Sequence, residues 1–156
     1  IRNHGLVDRD VVERFGYVSR MDVLQAAILE FRLSKLSEVI EKRRKNATLF
    51  YEHLDKKHVY SPAESKKEFN TYHTFIIQCD KRNELRKYLF DKGIETFIHY
   101  PIPIHLQQCY HDLGYSKGDF PNVEKNASTM LSIPVAEHLD QDQISFVAER
   151  IRTFFK

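Results

Sequence analysis

From Ser19 to about Lys57 the chain runs without a glycine or a proline, and an uninterrupted stretch of that length constrains the fold more than anything else in the sequence. Ser19 offers a helix cap, and Asp22 three places on makes a variant of the capping box. The spacing predicts one helix of about 38 residues, roughly 57 Å long at ~1.5 Å per residue. A compact chain of 156 residues has a radius of gyration of only about 15 Å. Such a helix either kinks or projects beyond its own domain. The alternative is a break near Ser34 that folds two helices into a hairpin.

The apolar pattern changes along this helix. Between Met21 and Leu33 nine of thirteen residues are apolar, too many for a single stripe facing a single core. That half is expected to be covered on more than one side, by another domain or another subunit. Further on, Leu36, Ile40, Ala47, Phe50 and Leu54 form one stripe opposite the run Glu41-Lys42-Arg43-Arg44-Lys45, so the second half is expected to be one-sided.

Before the helix, residues 1–18 carry Gly5 and Gly16 and no sustained period, which predicts a lead-in with at most a short helix. After it, Thr71–Cys79 is β-branched and aromatic and reads as a strand. Asp80 can cap a helix over residues 81–92 that Gly93 terminates. Ile94–Ile98 reads as a strand, and Pro101 and Pro103 make His99–His105 an extended loop. A short helix is predicted from His105 to Leu113, another from Phe120 to Thr129, and a short strand over Leu131–Val135. Asp140 with Gln143 then forms a capping box for a last helix bearing Ile144, Val147, Ile151 and Phe154 at helical spacing. The predicted class is α/β of the α+β kind: a long N-terminal helix and a small, mostly antiparallel sheet with helices on one face.

Composition excludes several functions. Hydrophobic residues make up 42% and charged residues 29% of the chain, with 8 Tyr and 11 Phe, so it can bury a core. The formal net charge of +2 gives no field that favours nucleic acid or an anionic membrane. No apolar run approaches the ~20 residues of a membrane-spanning helix. Cys79 and Cys109 are too few for a disulfide framework or a four-cysteine zinc site, and no secretory pattern opens the chain. A cytoplasmic protein with two reduced, buried thiols is expected. The chain starts at Ile1 without an initiator Met, as expected of a fragment, a processed product or part of something longer.

Eight histidines invite a metal reading, but His99, His105 and His111 are six apart, on neither one helical turn nor one strand face. No metal site is expected. The basic run Lys42–Lys45 lacks interleaved aromatics and reads as a solvated helix face. The loop from His99 to His105 stands apart. Imidazole and phenol groups on a proline-restricted backbone offer donors to phosphate or sugar oxygens, while a rigid structural loop is the bland alternative.

A set of separated motifs, in order and at preserved spacing, carries a resemblance. They are Arg2-Asn3-His4-Gly5, Gly16-Tyr17-Val18-Ser19-Arg20-Met21-Asp22 with Leu24-Gln25-Ala26-Ala27-Ile28-Leu29, and His99-Tyr100-Pro101-Ile102-Pro103 with His105. Leu113-Gly114-Tyr115, Gly118-Asp119-Phe120-Pro121 and Leu131-Ser132-Ile133-Pro134-Val135 complete the set. Over nearly its whole length the chain resembles the C-terminal part of the DegT/StrS-type sugar-nucleotide aminotransferases.

The resemblance implies a fold-type I, pyridoxal-phosphate-dependent enzyme that moves an amino group, usually from glutamate, onto a nucleotide-linked keto sugar for aminosugar and polysaccharide biosynthesis. It implies a homodimer. Residues 1–33 would be the end of the large domain and the inter-domain and dimer helix, and residues 34–156 the small domain. In the family the Schiff-base lysine and the ring-binding residues lie upstream of the Arg-Asn-His-Gly motif, so no catalytic residue is expected in this segment, which alone would be inactive. The family's Gly-Tyr-Asn-Ser-Arg motif reaches across the dimer to the partner's cofactor phosphate. Here Val18 replaces the Asn, leaving Ser19 or a backbone amide, with Arg20, as the cofactor-binding candidates. His99 and Tyr100 match the family loop near the nucleotide-sugar diphosphate and are expected to contact substrate as donors. A relative that keeps the small domain and dimer helix but has lost transamination, serving as a binding or regulatory protein, is the alternative, with Val18 as its sign.

Overall fold

The computed structural model describes residues 2–156, which contacts divide into a unit ending at Glu38 and a unit Val39–Lys156. Each is described by itself.

The N-terminal unit opens with a hairpin rather than a short helix. Strands β1 (Leu6–Asp8) and β2 (Val11–Val12) pair antiparallel with a register shift between Leu6 and Asp8. An antiparallel bridge from Asn3 to Val18 continues it. Gly5 turns with φ +76°, and a Cβ there would overlap the carbonyl of Arg14, so only glycine fits this crossing. Helix α1 (Val23–Ser34) starts at Asp22, not Ser19, and the Asp22 N–H donates to Gln25 Oε1 at 3.4 Å. No residue of α1 is buried, and Val23, Leu24, Phe31 and Leu33 are each more than half exposed.

The expected single helix is two, broken near Ser34 where the alternative reading placed the break. Lys35 interrupts it, its N–H bonded to the Arg32 and Leu33 carbonyls, and α2 runs Leu36–His53. The cause is local. The Ser34 hydroxyl donates to the Phe31 carbonyl at 2.7 Å, an alternative to the helical ladder that short polar side chains offer.

In the C-terminal unit, β3 (Phe75–Gln78) pairs antiparallel with β4 (Met130–Ile133), Phe75 opposite Ile133 and Ile77 opposite Leu131. Single antiparallel bridges extend the sheet at Tyr60 beside Gln78 and at Phe97 beside Ser132. The strand expected over 94–98 is thus reduced to one bridge. Strand β3 is also shorter than Thr71–Cys79, because Tyr72 has φ +47° and its N–H is turned onto Asn70 Oδ1.

Side chains alternate across a strand, so Phe75, Ile77, Leu131 and Ile133 share one face. Against it pack Ala47 and Phe50 of α2, Leu85 and Leu89 of α3 (Arg82–Asp91), and Ile144, Val147, Ala148 and Ile151 of α5 (Gln141–Phe154). Helix α3 ends at Asp91 with Lys92 as its cap, before Gly93 at φ +76°, and α5 carries the expected capping box, Asp140 Oδ1 accepting from the Gln143 N–H at 2.8 Å. Helix α4 (Pro121–Thr129) contributes no residue to the core cluster, although its Ala127 is buried, and Gln78 reaches its Asn126 at 3.3 Å. The short helix expected over 105–113 is two 3-10 turns, Ile104–Leu106 and Gln108–Leu113.

The basic run on α2 is not a uniformly solvated face. Arg43 pairs with Glu137 at 2.8 Å and donates to the Tyr72 and His73 carbonyls, fixing the turn that precedes β3. Arg44 grips Glu64 with two bonds of 2.8 Å and lies over the Phe69 ring. The Arg44 hydrogen bonds, helped by the Asn70 N–H, hold the Glu64 carboxyl below its ordinary value of 4.5. A depressed carboxylate contributes stability above the unfolded value that is lost as pH falls below it. Glu64→Gln is therefore expected to make the fall in thermal midpoint between pH 7 and pH 4 shallower than in the unmodified protein. An equal fall in both would remove this pair from the acid response.

Candidate functional site

Two recesses hold the candidate residues, one in each unit. In the N-terminal unit Arg2, Ser19 and Arg20, with Gln25, Ile28 and Leu29, line a cleft of about 500 Å³. The Asn3–Val18 bridge creates it by laying residues 2–4 beside residues 17–19: the His4 N–H donates to the Tyr17 carbonyl at 3.1 Å and the Ser19 N–H to the Arg2 carbonyl at 2.8 Å. The Ser19 amide is thus committed to the chain. Its hydroxyl and both guanidinium groups have no partner among the described residues. The Val18 side chain is exposed and apolar, so it adds no donor.

The donor set of this cleft, two permanent cations and a hydroxyl with no carboxylate among its described lining residues, suits a phosphate monoester. The residues fit the phosphate end of pyridoxal phosphate. Nothing here is placed to hold its aldehyde.

In the C-terminal unit an open cavity of about 750 Å³ lies between residues 94–99 and the start of α5, lined in part by Phe97, His99, Ser132, Asp142 and Phe146. Apolar walls with a few convergent polar groups are the usual form of a small-molecule site. His99 is half-buried, its Nδ1 3.0 Å from Ser132 Oγ, its ring stacked 5.9 Å from Phe97 and edge-on to Tyr100 at 5.6 Å. Tyr100 is 73% exposed, and its hydroxyl has no partner among the described residues.

The far end of the same loop is pinned as firmly. His105 Nε2 lies 3.1 Å from Glu124 Oε1, and its ring packs 4.8 Å from Phe120. The Gly118 N–H, donating at 2.7 Å, and then His105 hold the Glu124 carboxyl below its ordinary value against the opposing effect of burial. His105 therefore anchors the loop. Ile102 and Ile104, between the two histidines, are half or more exposed.

Ser132 and Glu124 were not among the sequence candidates. For Ser132 a signal existed: it alternates with Leu131 and Ile133, which puts its hydroxyl on the opposite face of the strand. The cysteines divide. Cys79 is buried, which pushes its thiol up to about 11 and leaves it unreactive, whereas Cys109, expected to be buried, is exposed. No group of three or more His, Cys, Asp or Glu side chains converges among the described residues, and no helix among them is long and apolar enough to cross a membrane.

Residues 1–152 match the DegT/DnrJ/EryC1/StrS aminotransferase family. The chain is 36% identical to a pleiotropic regulatory protein of Geobacillus stearothermophilus, covering all of this chain and 43% of that protein. It is 31% identical to dTDP-3-amino-3,4,6-trideoxy-alpha-D-glucose transaminase of Streptomyces venezuelae, over 97% of this chain and 40% of that one. Among solved structures, S. venezuelae DesV in complex with a ketimine intermediate superposes with a TM-score of 0.93 at 31% identity, over 98% of this chain and 42% of DesV. The chain spans about two fifths of the length of the curated relatives it matches.

Proposed function

The chain belongs to the DegT/DnrJ/EryC1/StrS aminotransferase family, and from that premise we propose that it is the C-terminal portion of a pyridoxal-phosphate-dependent enzyme. The enzyme transfers an amino group from glutamate to a nucleotide-linked keto sugar. The match across residues 1–152 carries this reading, and the cation-lined cleft at Ser19 and Arg20 supports it.

In this reading the protein is a cytoplasmic homodimer, and the apolar surface of α1 is covered by the large domain and the partner subunit. Residues 1–33 close the large domain and residues 34–156 form the small one. Pyridoxal phosphate, when bound, supplies the electron sink that amino transfer requires. Arg20 and the Ser19 hydroxyl hold its phosphate from across the dimer, with Arg2 adding charge. His99 and Tyr100 donate to the diphosphate oxygens of the substrate, orienting it without exchanging protons with it. The proline-restricted loop, tied down through His99 and His105, keeps those donors in place before substrate arrives, which lowers the ordering cost of binding.

Val18 also favours a second reading, a binding or regulatory relative that has lost transamination. A side chain with no donor stands where the family has Asn, and one of the relatives carries a regulatory name. Cofactor titration of the longer protein, followed by absorbance, separates the two. Val18→Asn is expected to tighten cofactor binding about fivefold, the effect of one added hydrogen bond. Arg20→Ala is expected to weaken it by about tenfold to a hundredfold, as the loss of a charged contact does. No cofactor binding by the unmodified protein would overturn the enzyme reading.

A further inference from the structure

Ser132 occupies an unusual place for a hydroxyl. It sits in the middle of β4 between Leu131 and Ile133, is 6% exposed, and its backbone is bonded to Phe97 on one side at 2.7 and 3.1 Å. That bridge sets the register of the neighbouring segment. His99, two residues beyond Phe97, returns to the same face as Ser132, and Nδ1 of its ring comes within 3.0 Å of Oγ. Among the described residues Ser132 Oγ has no other partner.

The hydrogen bond has two possible directions, and they leave the ring with opposite chemistry. If Nδ1–H donated to Oγ, the serine's own hydrogen would have no acceptor among the described residues, only water from the open cavity that Ser132 lines, and Nε2 would present a lone pair. If the hydroxyl donates to Nδ1, the buried donor is satisfied and a neutral ring must carry its proton on Nε2. Only the second gives the serine hydrogen a protein acceptor. The stacked Phe97 ring and the edge-on Tyr100 ring hold the plane of the imidazole, so both its tautomer and its orientation are set.

We propose that Ser132 is a positioning residue that locks His99 as the neutral Nε2–H tautomer and so makes it a fixed hydrogen-bond donor. The tautomer stands on the contact alone. That the donor meets the diphosphate of a nucleotide sugar rests on the reading given under Proposed function. A lone pair at Nε2 would repel a phosphate oxygen, whereas Nε2–H attracts one without adding charge. Ser132 thereby decides whether His99 is an acceptor or a donor for its ligand.

The test is tautomer-sensitive nitrogen NMR on the protein labelled with 15N-histidine, at a pH where the rings are neutral, with His99 assigned from His99→Asn. The expected result is one tautomer, unprotonated at Nδ1, in the unmodified protein. In Ser132→Ala it becomes an averaged mixture, and in Ser132→Thr, which keeps the hydroxyl, it is retained. A protonated Nδ1, or the same averaging in all three proteins, overturns the proposal. A second arm titrates UDP and dTDP into the longer protein, where Ser132→Ala is expected to weaken binding about threefold to tenfold, with Ser132→Thr restoring it. A change of tautomer without any change in affinity for either nucleotide overturns the substrate contact of His99 and leaves the positioning role in place.

Discussion

Phe50→Ala is expected to cost the chain about 3–5 kcal/mol of stability, the range for truncating a fully buried aromatic side chain. Phe50 is 0% exposed, sits 5.1 Å from the Phe75 ring, and connects α2 to the sheet. A loss of that size is a large share of the ~5–15 kcal/mol that keeps a domain folded, and urea unfolding measures it. The contrast is Leu24→Ala on α1, where the side chain is 73% exposed. In the 156-residue chain it is expected to cost less than about 1 kcal/mol. Equal costs at the two positions would contradict the difference between a packed C-terminal unit and a helix α1 that has no buried residue.

The isolated chain is expected to show no glutamate-dependent amino transfer to any keto sugar nucleotide, whatever the concentration of pyridoxal phosphate. Its cleft offers cations and a hydroxyl for a phosphate, and in the family the lysine that holds the cofactor covalently lies upstream. The exposed face of α1, with Val23, Leu24, Phe31 and Leu33, is expected to drive self-association, because apolar patches of that kind rarely remain bare in water. Sedimentation across a concentration series reads the second effect and an end-point assay for 2-oxoglutarate the first. Turnover by the chain alone would place the chemistry in residues that have no role in it here.

What was legible in the sequence was local. The Asp140–Gln143 capping box, the stop at Gly93 and the proline opening α4 each depend on residues within a turn of one another, and all three stand where the sequence puts them. The break at Lys35 carries no glycine or proline and follows from a single Ser34 hydroxyl choosing a local acceptor. The hairpin at Leu6–Val12 escaped because its strands are three and two residues long and mostly exposed. No alternation of burial marks them, and their partners are backbone groups. The late start of β3 adds a longer-range contact to the local turn at Tyr72. Arg43 holds the carbonyls of Tyr72 and His73 from 29 and 30 residues away.

The site divides in the same manner. Val18, Ser19, Arg20, His99 and Tyr100 stand in sequence motifs, and the structure gathers Ser19 and Arg20 with Arg2 in one cleft and sets His99 beside Tyr100. The partners that orient the histidines were not visible. Ser132 and Glu124 lie 33 and 19 residues from His99 and His105, and only the register of β4 and the placement of α4 bring them into contact.

The most direct test of the central claim is the half-reaction of the longer protein with glutamate alone. The enzyme is loaded with pyridoxal phosphate, no sugar acceptor is added, and 2-oxoglutarate is counted. About one equivalent per bound cofactor is expected, since the amino group has a carrier and nowhere further to go. Stoichiometric cofactor binding with no 2-oxoglutarate from glutamate would contradict the claim that this chain completes a glutamate-dependent aminotransferase.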